Sequence, residues 1–439
     1  GRAPRPSDFQ ISPASGEVSV SNSELRALIE RFVADKKALG RYLPFSFSGL
    51  ARTRFQALID EWSGLLGRVD FDALSQDGRV DFHLFRTLLA RERGAPASDA
   101  KSESEIAPLL PFAETIIGLR EDLLKFRWAE PRSAAGILGD LEKQAVAARL
   151  AWESRPPSTG VSRDIAVRAF KSLSALRAGL KEWHEFYDGY DPLFTWWTAV
   201  PYRAADAAIQ DYLKALGSLQ AKPSPDDPKV GWMPPVSRDV LLRELALEWI
   251  PYTPEEILAM GWQELAWCEK ERAAAARELG YGDDWRKAVE HVKAGAVEPG
   301  RQAELVRALA ADVVDFLEKR DVLTIPPLAK EAFRIRMMPL DEQVVTPFFT
   351  GGEVVSVAYP TNAMPFDQRE AIMRGNNPHF SKAVVHHELI PGHHLQMFMA
   401  ERHKPYREAF QTNFFVEGWP LYWEMRLWDM GYPASPEDR

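Results

Sequence analysis

Apolar residues recur at intervals of three and four through most of the first two-thirds of the chain. The segments SNSELRALIERFVADKKAL, DFHLFRTLLARER, ILGDLEKQAVAARLAWE and RDIAVRAFKSLSALRAGLKEWHEF all carry this repeat, which lines apolar side chains along one helix face and predicts packed helices. A sharper start signal lies at Thr253-Pro254-Glu255-Glu256. Thr253 suits an N-cap, Pro254 suits the first helical position and Glu256 completes a capping box, so a helix is predicted to about Gly280. The pattern changes in EQVVTPFFTGGEVVSVAYPTN, where two β-branched and aromatic runs flank Gly351-Gly352, a dipeptide suited to a hairpin turn. A helix from about Phe380 to Glu401 is predicted next.

With 439 residues, 46% of them hydrophobic, the chain can bury a sizeable core as two domains or as one large helical body with a deep cleft. The fold class expected is mainly α, with a small β-hairpin or sheet beside the 380–401 helix. The Pro-rich stretch KPSPDDPKVGWMPP removes backbone donors and interrupts the helical pattern. It divides residues 1–222, a helical region, from residues 236–439, the region with the chemistry described below; a loop within one interwoven domain is the alternative. No internal repeat or low-complexity tract is present.

The formal net charge of −9, with no basic cluster interleaved with aromatics, argues against nucleic acid as a partner. No stretch approaches the roughly 18–20 apolar residues of a membrane span. The opening GRAPRPSDFQISPASGEVSV lacks the apolar centre of a signal peptide and reads like a mature start after removal of a leader or tag. A periplasmic, secreted or lipid-anchored location is favoured over a cytoplasmic one. Cys268 is the single cysteine, which excludes an internal disulfide and a Cys-rich metal site.

The chemistry concentrates in His386-His387-Glu388-Leu389-Ile390-Pro391-Gly392-His393-His394. Neutral imidazole is the commonest zinc ligand, and a glutamate beside a ligand histidine can take a proton from zinc-bound water. Zinc peptidases with His-Glu-x-x-His place both histidines one turn apart on one helix face. Here the residue four after His387 is Pro391, and the next histidine is His393. On a regular helix, positions six apart differ by roughly 120° in direction and about 9 Å in height, too far to share one ion easily. Pro391 cannot donate to the His387 carbonyl and Gly392 tolerates unusual dihedrals, so a local distortion can absorb two extra residues and return His393 to the metal. His394 is the rival ligand, on the same face as His387 in an unbroken helix but about two turns away. Glu417, in the following aromatic helix, is assigned as third ligand. Gly418 is expected to permit close helix approach, with Trp419, Tyr422, Trp423 and Trp428 forming an apolar shell.

The motifs His-Glu-x-x-Pro-Gly-His-His-x-Gln, from His387 to Gln396, and Glu-Gly-Trp-x-Leu-Tyr-x-Glu, from Glu417 to Glu424, resemble a bacterial family of uncharacterised proteins and lipoproteins, domain of unknown function 885. The segment TPEEILAMGWQEL is similar to an upstream helix of that family. Glu-Gly-aromatic also resembles the third-ligand motif of thermolysin-like (gluzincin) zinc peptidases, which implies that Glu417 binds zinc. Related helical peptidases take an oxyanion-stabilising His or Tyr from sequence beyond this helix; within this chain the candidates are Tyr359, His386, His394 and Tyr422.

The function expected is peptide-bond hydrolysis, with Zn2+ on His387, His393 and Glu417 and with Glu388 as general base. An edge strand near Val354 to Tyr359 is expected to pair with an extended peptide substrate. The competing readings are a non-catalytic peptide-binding or cell-envelope scaffold, and a metal-dependent hydrolase of non-peptide amides. Plainer assignments cover the remaining groups: Glu424 as part of a charged face, with support of His387 or His393 as the alternative, His83, His184, His291, His379 and His403 as structural, and Trp183 to Trp197 as core or cleft wall.

Overall fold

A computed structural model describes residues 23–155, 161, 163–217, 236–345 and 349–439. The protein is mainly helical, as the three-and-four periodicity predicts. The described residues divide into two compact units, Ser23–Val240 and Leu241–Arg439. The expected boundary at 222–235 lies outside the described residues.

The first unit contains α1 (Arg26–Tyr42), α2 (Gly49–Leu66), α3 (Gln76–Ile106), α4 (Ala113–Leu124), α5 (Pro131–Glu153), α6 (Arg163–Tyr187) and α7 (Pro192–Gly217). Apolar spacing explains its core. Leu138, Leu141 and Ala145 face inward from α5, while Leu173, Leu176 and Leu180 do so from α6. Trp183, Tyr187 and Phe194 close the cluster, with the Phe194 ring 5.4 Å from Trp183 and 4.8 Å from Tyr187. His184 is structural: it lies buried, stacked 3.8 Å from Tyr202, with Nε2 3.2 Å from the Thr198 hydroxyl. Burial pushes its pKa below the ordinary histidine value. Of the tryptophan-rich stretch, Trp183 is core whereas Trp196 is exposed.

Helix α8 (Arg238–Leu247) straddles the division. The second unit continues with α9 (Pro254–Glu278), α10 (Trp285–Ala294), α11 (Gln302–Arg320) and α12 (Pro327–Ala332). It then alternates β1 (Arg334–Met337), α13 (Leu340–Val345), β2 (Phe349–Thr350) and β3 (Val354–Val357). Helices α14 (Phe366–Gly375), α15 (Pro378–Glu388), α16 (His393–Ala400) and α17 (Asn413–Asp429) complete it. The capping box at α9 forms as expected: the Thr253 side chain accepts from the Glu256 N–H, and the Glu256 carboxylate accepts from the Thr253 N–H.

The small sheet has the order β1-β3-β2, with β3 parallel to β1 and antiparallel to β2. The turn at Gly351-Gly352 joins β2 to β3 as expected, and Gly352 takes a positive φ of 101°. Two expectations change. Glu342–Val345 belong to α13 instead of a strand. Val354–Val357 form the middle strand, paired along its length with β1 and at Ser356 and Val357 with β2, so it is not the edge strand expected to take a peptide. Among the described residues, no helix is long and apolar enough to cross a membrane.

Two apolar clusters place the helices that carry the histidines. Val306 and Ala310 of α11 meet Val355 and Val357 of β3, Val385 of α15 and Leu389 just after it. Val313 and Leu317 of α11 meet Ala329, Ile390, Leu395, Phe398, Trp423, Leu427 and Tyr432. Ile390 is fully inside this second cluster, and burying such a side chain contributes about 1.5–3 kcal/mol.

Candidate metal centre

Asn377 and Pro378 start α15: the Asn377 side chain accepts from the N–H groups of His379 and Phe380, and Pro378 occupies the first turn. The predicted single helix is interrupted at residues 389–392 and resumes as α16. Hydrogen bonding shows how two extra residues fit. Gly392 N–H reaches back to the His386 carbonyl at 3.0 Å and Leu395 N–H to the Leu389 carbonyl at 3.2 Å, each six residues back instead of four. The Ile390-Pro391 peptide is cis. Gly392 sits directly on the backbone of α15, where an added β-carbon would meet the His387 carbonyl and lie 2.6 Å from the His386 oxygen.

The break turns His393 back toward His387, with ring centroids 4.9 Å apart. Glu417 of α17 completes the group. Its Oε2 is 3.8 Å from His387 Nε2 and 3.6 Å from His393 Nε2, and one ligand atom from each residue lies within 4.8 Å of the others. Donors on a tetrahedral zinc sit roughly 3.3–3.5 Å apart, given bond lengths of about 2.0–2.2 Å, so small movements bring all three into range. The structure thus brings together the three side chains expected as ligands. His394 instead points into the core, with Nε2 2.8 Å from the Ala329 carbonyl oxygen.

Thr412 caps α17 by accepting from the Phe415 N–H, and Gln396 donates to the Phe415 carbonyl at 2.7 Å, linking α16 to that first turn. Glu424 sits seven residues after Glu417, on the same face of the helix. Its Oε1 lies 2.5 Å from His387 Nδ1, so the carboxylate accepts from one nitrogen of the ring while the other nitrogen points toward Glu417. The charged-face reading of Glu424 therefore gives way to its alternative, a contact with His387, and the seven-residue spacing from Glu417 is the sequence signal for it. This hydrogen bond raises the pKa of His387 despite partial burial. Burial lowers that of His393, with the charge of His387 adding to the effect.

Glu388 ends α15 beside the hairpin turn. Its carbonyl accepts from Gly352 N–H at 3.3 Å, and its carboxylate lies against Gly351. Burial pushes its pKa up to about 7. His387 opposes this, the charges of Glu417 and Glu424 reinforce it, and the Gly351 N–H opposes it more weakly.

The other candidates are placed differently. His386 is buried, with its ring centroid 5.8 Å from that of Tyr432, and burial lowers its pKa to about 4. Tyr422 is exposed beside Trp419 and Trp423. Tyr359 follows β3, where its backbone N–H donates to Gln343. The apolar shell is partial: Trp423 is buried and Trp428 packs 5.0 Å from Trp267. Gly418 is exposed, and an added β-carbon would meet nothing within 4 Å, so close helix approach is not its role.

A solved structure described as "a putative lipoprotein of unknown function" from Shewanella oneidensis shares this fold, with a TM-score of 0.62 at 14% sequence identity. The similarity covers 93% of this chain and 78% of that one. No curated protein matches the chain. The family model for bacterial proteins of unknown function DUF885 matches residues 42–439, nearly the whole sequence and both motifs of the candidate centre, and the chain belongs to that family.

Proposed function

We propose that this protein is a zinc-dependent peptidase in which His387, His393 and Glu417 hold the ion and Glu388 handles the proton. The observation that carries the reading is the convergence of two imidazole nitrogens and one carboxylate oxygen beside a half-buried glutamate. Two histidines and a glutamate form a donor set used by catalytic zinc sites, which keep a further position open. The hydrogen bond from His387 Nδ1 to Glu424 supports the fit, because ligand histidines usually direct their second nitrogen at such a partner. The resemblance of Glu417-Gly418-Trp419 to the third-ligand motif of thermolysin-like peptidases agrees with this assignment.

When bound, zinc supplies a Lewis acid for the scissile carbonyl and lowers the pKa of water to about 7. Glu388, adjacent to His387 at the end of α15, would accept the proton released and deliver it to the departing amine. Glu424 holds the His387 ring in one tautomer and orientation, leaving Nε2 as the donor atom.

The test is release of new amino groups from a peptide library by the zinc-loaded protein and its Glu388→Gln variant. The wild type releases amines, while the variant retains zinc and loses at least 10²-fold in rate. Hydrolysis confined to non-peptide amides assigns a different hydrolase, and zinc binding without any hydrolysis assigns a binding protein.

A further inference from the structure

The segment between the two histidines leaves several carbonyls without their usual helical donors, that of Pro391 among them. In a continuous helix the Leu395 N–H would donate to Pro391; here it reaches the Leu389 carbonyl. Gly392 N–H likewise passes over its regular acceptor and bonds to His386. The Pro391 carbonyl instead accepts from the indole Nε1–H of Trp419, at 2.7 Å.

Trp419 is partly buried against the cluster that contains Ile390, Leu395 and Trp423, with its ring 5.9 Å from Trp423. Its donor is therefore fixed in direction by packing. Trp419 also lies two residues from Glu417, so one short piece of α17 delivers both the third carboxylate and the donor to the break.

We infer that Trp419 is a positioning residue that holds the 389–392 break in the conformation returning His393 to His387 and Glu417. The inference rests on those three residues being the metal ligands. Pro391 is buried, and a buried carbonyl deprived of its donor is left desolvated without compensation, so the break has reason to rearrange when the indole N–H is lost. Since residues 389–392 separate the two histidines, the rearrangement is felt as a displacement of His393.

Two variants separate the hydrogen bond from the packing of the ring. Trp419→Phe removes the donor and shrinks the side chain. Incorporation of 3-benzothienylalanine at 419 keeps the bicyclic shape and places sulfur where the N–H was. For each protein, Zn2+ affinity is measured by chelator competition, the visible absorption of the Co2+ form is recorded beside that of His393→Ala, and unfolding of the metal-free protein is followed by heat.

Both variants are expected to bind Zn2+ about 10–100-fold more weakly. The Co2+ spectrum of the sulfur variant is expected to move toward that of His393→Ala, with metal-free unfolding within a few degrees of wild type. Unchanged affinity and spectrum in the sulfur variant overturn the inference and leave the proposed function standing. Weakened binding by Trp419→Phe alone assigns the effect to packing and also overturns it. Failure of the wild type to take up zinc removes the proposed function itself, and this inference with it.

Discussion

Gly351→Ala tests whether the hairpin sets the position of Glu388. Gly351 lies directly against that residue: a β-carbon added at 351 would strike the carboxylate and lie 2.8 Å from both Cα and Cβ of Glu388. Carbon atoms in contact prefer about 3.5–4.0 Å, so the turn and the end of α15 must separate by roughly 0.7–1 Å. Rotation of the carboxylate relieves only part of the clash, because Cα belongs to the backbone. A displacement of about 1 Å in a reacting group can reduce rate 10²-fold, equivalent to about 2.7 kcal/mol in the barrier. The assay is kcat/KM on a peptide cleaved by the wild type, paired with zinc titration. The expected result is a roughly 10²-fold loss in kcat/KM with zinc affinity within tenfold of wild type. Activity within threefold of wild type, with zinc bound, would refute the role given to the hairpin.

Glu424→Ala leaves His387 Nδ1 without its acceptor and is expected to weaken zinc binding 10–100-fold, or about 1.4–2.7 kcal/mol. Glu424→Gln, which keeps an acceptor oxygen, should fall between it and wild type by isothermal titration; equal affinity in all three proteins would contradict the assignment. A second prediction concerns Asp438, whose oxygens lie 2.7 Å from His379 Nδ1 and 2.9 Å from Lys382 Nζ. Burial raises its pKa, but hydrogen bonds with His379 and Lys382 outweigh it and hold the folded value below the ordinary 3.8. Its contribution is thus complete above about pH 3.8 and is lost as pH falls through the lower folded value. Urea unfolding should show Asp438→Asn about 1–3 kcal/mol less stable at pH 7, with a gap that narrows below pH 3.8; a constant gap would count against the ionised pairing.

The helices were legible because burial on one face demands a three-and-four repeat, which α1, α5, α6 and residues 81–93 of α3 carry; the Gly- and Pro-containing later part of α3 does not. The break between His387 and His393 was legible for a chemical reason: Pro391 lacks an N–H, and the close backbone approach at Gly392 excludes a β-carbon. The sheet was less so. Strand β1 carries exposed Arg334 and Arg336 around Ile335, as befits an edge, and offers no apolar run. The β-branched Val344-Val345 pair suggests a strand, yet it ends α13, an override of a propensity worth at most about 1 kcal/mol. For Glu424 the seven-residue spacing from Glu417 places it on the same helix face, but which histidine it meets depends on the rotation of α17 against α15. His393 and His394 are adjacent and chemically identical; only the three-dimensional path of the break directs one to Glu417 and the other to Ala329.

Diffraction from zinc-loaded crystals, collected on both sides of the zinc absorption edge, tests the account most directly. It predicts one anomalous peak at coordination distance from Nε2 of His387, Nε2 of His393 and a carboxylate oxygen of Glu417, with Glu424 on Nδ1 of His387. An ion held elsewhere, or no peak at that centre in a zinc-saturated protein, would contradict it.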